Sequence, residues 1–99
     1  MAEIEWLPEA QADLKRLYAF IEPHSVKAAA RAIKTIMQSV RMLRQHPESG
    51  RPWEIDTAYR ELVIPFGARA YVARYRIQEN RVIIVRVWHG LEDRISSSE

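Results

Sequence analysis

Apolar and polar positions along this chain change their period twice, and the changes mark its elements. In "AEIEW", Ala2, Ile4 and Trp6 alternate with Glu3 and Glu5, the two-residue period of a strand with one buried and one wet face. Pro8 ends that run and suits a first helical turn, where its missing N–H is not needed. Ala10, Leu14, Leu17, Tyr18 and Ile21 then recur at helical spacing, with Glu9, Asp13, Lys15 and Arg16 assigned to the solvent side of the wheel. Pro23 biases Glu22 away from helical dihedrals and closes the helix. Ser25 is a good N-cap for a second helix. Its apolar stripe is Ala29, Ala30, Ile33, Ile36, Met37, Val40 and Leu43, and "HPESGRPW" ends it with Pro47 and Gly50. So short a connection makes the two helices antiparallel neighbours.

Beyond Trp53 the period returns to two. Leu62, Ile64 and Phe66 share one face of "YRELVIPF", and Tyr71, Ala73, Tyr75 and Ile77 share one face of "AYVARYRI", opposite Arg74 and Arg76. Gly67 in "PFGARA" predicts a hairpin, and "QENR" a second tight turn. In "RVIIVRVW", strict alternation puts Ile83, Val85 and Val87 on one face and Val82, Ile84, Arg86 and Trp88 on the other. The order strand, helix, helix and three antiparallel strands predicts a two-layer α+β domain (βααβββ), the helical hairpin packed on the antiparallel sheet and the first strand beside a later one. One domain over residues 1–95 is expected, with a frayed "SSSE" tail at 96–99.

Composition narrows the chemistry. The hydrophobic fraction of 47% and charged fraction of 28% are those of a globular chain. Without cysteine there is no disulfide, thiolate metal site or cysteine nucleophile. No leader-like or membrane-length apolar run occurs, so a cytoplasmic protein without membrane contact is expected. The net charge of +2 hides a local bias, because Arg60, Arg69, Arg74 and Arg76 face the single acid Glu61 between Tyr59 and Ile77. Such a strip fits a phosphate backbone, an acidic protein or a solvated face.

No serine triad, glycine-rich phosphate loop or ligand-spaced metal pair is present, and neither metal nor cofactor is expected. His24 and His46 lie in separate connections, whereas His89 closes the last strand before Gly90, where a side chain can be aimed outward. Tyr71, Tyr75 and Trp88 beside Arg74, Arg76 and Arg86 combine stacking surfaces with phosphate-holding groups. Core-edge tyrosines with solvated arginines explain the same set.

The motifs "W-x-x-x-A-x-x-D-L" (Trp6, Ala10, Asp13, Leu14), "HPESGRP", "YREL", "YVARYRI" and "VWHGLEDR", in this order over residues 3–94, resemble the RelE/ParE superfamily of bacterial toxins, most of all its ParE or plasmid-stabilisation branch. The resemblance implies a toxin neutralised by a cognate ParD- or RelB-like antitoxin in a hetero-oligomer. It also implies one of two targets: DNA gyrase, poisoned by contact as ParE proteins do, or mRNA on the ribosome, cleaved as RelE proteins do. A non-toxic remnant that only binds antitoxin is a third reading. Val72 falls where the ribonucleases tend to carry a catalytic arginine, Leu91 and Glu92 where a basic pair is expected, and no tyrosine follows Tyr75. These departures favour gyrase. The expected target contacts are Arg60, Arg74, Arg76, Arg86, Trp88 and His89, the antitoxin contacts Tyr71, Tyr75 and Trp88, and the nuclease candidates Arg60 and His89.

Overall fold

A computed structural model describes residues 2–90. Strand β1 (Glu3–Trp6) leads into helix α1 (Pro8–Ile21), then α2 (Val26–Arg41), which tightens into a 3₁₀ turn at Met42–Arg44. Four strands follow: β2 (Arg51–Pro52), β3 (Tyr59–Phe66), β4 (Arg69–Gln78) and β5 (Arg81–His89). The sheet order is β1-β5-β4-β3-β2, with β1 parallel to β5 and the other pairs antiparallel. This is the expected α+β architecture, extended by the two-residue edge strand β2, which is too short to show a period.

Local signals act as the sequence predicts. Pro8 opens α1, and the Ser25 hydroxyl accepts the Ala28 N–H at 3.0 Å to cap α2. The β3–β4 hairpin turns on Gly67 at φ 62°, where glycine carries no steric penalty. The β4–β5 hairpin makes the same demand on Glu79, at φ 56°.

The helices cover one sheet face, α1 over β5 and α2 over β3. Between the layers lie Leu17, Ile36, Val40, Leu43, Ile64, Tyr71, Ala73, Tyr75, Val82, Ile84 and Val87. Two expectations are corrected here. Ala30 is exposed and Ala32 takes its place in the core, while Met37 stands 42% exposed at the margin of α2. More consequential is β5, whose alternation breaks. Tyr75 pairs with Ile84 but Arg74 pairs with Arg86, so Val85 is an extra residue in a β-bulge. The insertion reverses parity: Val87 joins Val82 and Ile84 in the core, and Trp88 falls on the other face, paired with Val72.

Candidate functional site

The uncovered sheet face gathers most of the expected target residues. Tyr59, Glu61, Val63, Val72, Arg74, Arg76 and Trp88 share it by register, and Trp53 lies against it. At its centre the Arg74 guanidinium stacks on Trp53 at 3.6 Å and faces Trp88 at 4.7 Å. Its Nε and terminal amine donate to Glu61 Oε2 at 3.1 and 2.8 Å. The Arg74 side chain is only 11% exposed and that of Glu61 12%. Cation–π stacking and a paired carboxylate therefore hold this cation in place, with its charge matched. Trp53 adds an edge-on contact with Tyr59 at 6.2 Å, and Trp88 is 2% exposed. Arg76, half-buried on the same face, has no carboxylate partner among the described residues.

Arg86 is engaged elsewhere. Past Trp6, no strand among the described residues lies on the β1 side of β5, and α1 supplies partners there. Asp13 Oδ2 accepts the Val87 N–H at 2.8 Å and Arg86 Nε at 2.8 Å, and Arg16 donates to the Val87 carbonyl at 3.2 Å. A carboxylate and a guanidinium thus satisfy main-chain groups that a neighbouring strand would otherwise take. Asp13 is buried, which corrects its assignment to the solvent side of α1. Its motif neighbours Ala10 and Leu14 marked the apolar stripe, but no local signal ties an acid on a helix to a strand 73 residues away.

The other candidates face the helices. Tyr75 has no exposed surface; its hydroxyl donates to the Pro47 carbonyl at 2.7 Å and accepts the Gly50 N–H at 2.8 Å. Burial raises its pKa, against the lowering effects of the Gly50 hydrogen bond and the Arg60 charge, while Glu48 adds to the rise. Arg60 donates to the carbonyls of Gly50 at 2.7 Å and Glu48 at 3.2 Å, clasping the same loop. Gly50 is obligatory there, because a Cβ would meet the Tyr75 ring and hydroxyl at 2.7 Å. Tyr71 is 4% exposed between Phe66 at 5.8 Å and His89 at 5.3 Å. Tyr71 and Tyr75, expected as antitoxin contacts, are both enclosed between the layers.

The two nuclease candidates are not brought together. Arg60 pairs with Tyr75, while His89 pairs with Tyr71, four residues along β4, which is roughly 13 Å of strand. Among the described residues no cluster of three potential metal ligands occurs, and no helix is long and apolar enough to cross a membrane. Leu91, Glu92, Asp93 and Arg94 lie outside the described residues.

Comparison with known proteins agrees with this architecture. The family described as "ParE toxin of type II toxin-antitoxin system, parDE" matches residues 4–94. Toxin RelE3 of Caulobacter vibrioides is 37% identical over 94 residues, covering 95% of this chain and all of that protein. Toxin RelE1 of the same organism is 38% identical over 85 residues, covering 86% and 89% of the two chains. A solved structure titled "Chromosomal ParDE TA system from P. aeruginosa" superposes with a TM-score of 0.76 at 25% identity, covering 90% of this chain and 96% of that one. The strand, helical hairpin and sheet seen here are thus shared with these toxins along nearly the whole chain, which belongs to the ParE toxin family of type II toxin–antitoxin systems.

Proposed function

We propose that this toxin acts by protein contact, arresting growth through DNA gyrase and trapping gyrase's cleaved DNA, and that a cognate antitoxin neutralises it. The observation that supports this reading is the state of the basic side chains on and around the sheet. Arg74 is matched by Glu61 and stacked on Trp53, Arg86 is held by Asp13, and Arg60 is held by two carbonyls. General acid–base cleavage of RNA needs groups within about 3 Å of the reacting atoms, whereas Arg60 and His89 are set well apart along the sheet. An aromatic-rich face with an internally neutralised arginine suits a protein interface, where tryptophan, tyrosine and arginine are the usual anchors. On this reading Arg76, the exposed Val63 and the edge of Arg74 form the target-facing surface, with the buried Trp88 packed beneath Arg74, Arg86 at the rim and Arg60 supporting the loop behind it.

The names of the relatives favour one alternative, a ribosome-dependent ribonuclease, since RelE1 and RelE3 carry that branch's name. Incubating the purified protein with gyrase, ATP and supercoiled plasmid discriminates. Accumulation of linear, protein-linked DNA is the expected result. Intact plasmid alongside cleaved mRNA on translating ribosomes would overturn it in favour of the nuclease, and inertness in both assays would indicate a remnant that only binds antitoxin.

A further inference from the structure

The connection from α2 to β3 is tied down at both ends, yet the tip it carries is apolar and open to solvent. At its start, Arg60 and the Tyr75 hydroxyl grip the main chain of Pro47, Glu48 and Gly50. Further on, Arg51 and Pro52 pair with β3, and the Trp53 N–H donates to the Tyr59 carbonyl at 2.9 Å while the Trp53 ring lies on the Arg74 guanidinium at 3.6 Å. The chain then reverses through residues 54–58. Asp56 Oδ1 accepts the Ala58 N–H at 3.1 Å and the Asp56 carbonyl accepts the Tyr59 N–H at 3.0 Å, an Asx turn that fixes the reversal. Within this turn Ile55 is 67% exposed, with Glu54 and Asp56 on either side.

Single apolar side chains are common on protein surfaces and need no explanation by themselves. Ile55 differs in that the main chain around it is already ordered, so seating it against a partner costs little of the entropy that a free loop would lose. Neither Glu54 nor Asp56 forms an ion pair with a cation among the described residues. Asp56 serves the turn, but no contact within the described residues accounts for an isoleucine and a second acid beside it. The strand that the turn feeds also carries Val63, 46% exposed on the target-facing side of the sheet.

We propose that Ile55 is the apolar anchor by which this toxin engages its protein target, seated in a pocket whose basic rim faces Glu54 and Asp56. The inference rests on the gyrase reading and names a contact within it. An enzyme that holds DNA suits such a tip, because its DNA path is lined by lysine and arginine that neutralise phosphates. A phosphate backbone does not suit it, since two carboxylates at the tip would repel it.

The test is the gyrase cleavage assay, read as the toxin concentration that gives half-maximal cleaved complex. Ile55→Asp should raise that concentration by about tenfold or more, and Ile55→Leu should stay within about twofold of the wild type. Glu54→Gln, Asp56→Asn, which keeps an acceptor for the turn, should raise it by about threefold and weaken its salt dependence. Ile55→Ser, checked by its thermal midpoint, makes the same comparison should a buried charge in the aspartate variant disturb the fold. Phe20→Asp, at a side chain 76% exposed on the helical layer, should leave potency unchanged. Binding of labelled toxin to gyrase without plasmid should weaken in step with cleavage. Wild-type potency in both Ile55→Asp and Ile55→Ser, or an equal loss in Phe20→Asp, would overturn the inference while leaving the gyrase reading intact. A loss confined to assays containing DNA would assign the tip to nucleic acid and overturn it too. A wild type inert on gyrase would overturn both.

Discussion

Tyr75 and Asp13 show how single polar atoms hold this fold, and neither role is visible in its own sequence neighbourhood. Tyr75→Phe keeps the ring but removes the acceptor of the buried Gly50 N–H and a donor to Pro47. A loss of about 1–3 kcal/mol is expected, read as a lower midpoint in urea. The same hydroxyl sets an alkaline limit. Burial holds the phenol protonated to higher pH than in the unfolded chain, whose ordinary value is 10.0. Unfolding above that value releases a proton, so the contribution is complete below it and is lost as pH rises through the raised folded value. Urea midpoints measured from pH 8 upward should fall more steeply for the wild type than for Tyr75→Phe. Asp13→Ala strands the Val87 N–H and should also cost about 1–3 kcal/mol. Little of that is the ion pair itself, since the Arg86 side chain is 52% exposed and screened. Asp13→Asn, which can still accept from Val87, should lose less, and thermal melts of the two variants would separate the contributions.

At the scale of elements, the hairpins were readable because turn residues are local, and β5 was not. Gly67 announced its turn by identity, whereas Glu79 occupies the equivalent left-handed position with a side chain that resists it. Relieving that strain should make Glu79→Gly stabilising by about 1 kcal/mol, a rise of roughly 4–8 °C in Tm for a domain of this size. An unchanged or lower Tm would show that the turn carries no such penalty. The bulge at Val85 has no comparable signature. "VIIVRVW" is apolar on both sides of the slip, so its alternation carries no mark of the extra residue that exchanges Val87 and Trp88 between faces. The short strand β2 has no sequence signature for a related reason: Arg51 and Pro52 are recruited by Glu61 and Arg60 on β3, with no pattern of their own.

For the whole molecule, the basic strip between Tyr59 and Ile77 looked available for phosphates until its partners were in place. With Arg74 and Glu61 paired and Arg60 tied to a loop, the sheet presents fewer free cations than its arginine count suggests. Binding of the isolated protein to plain RNA or duplex DNA should therefore depend weakly on salt, with a log–log slope no steeper than about −2. Fluorescence anisotropy between low and physiological salt would measure it, and a much steeper slope would return the uncovered face to the nucleic-acid readings. The alternation of β1, the stripes and caps of both helices, the turns and the α+β class all followed from period and residue type, because each depends on neighbours within a few positions. Whether a given arginine is free, which face Trp88 takes and that Asp13 completes the edge of β5 were decided only by tertiary structure. These depend on register and on pairing across most of the chain's length, and a one-residue bulge or a distant carboxylate changes them without altering any local pattern.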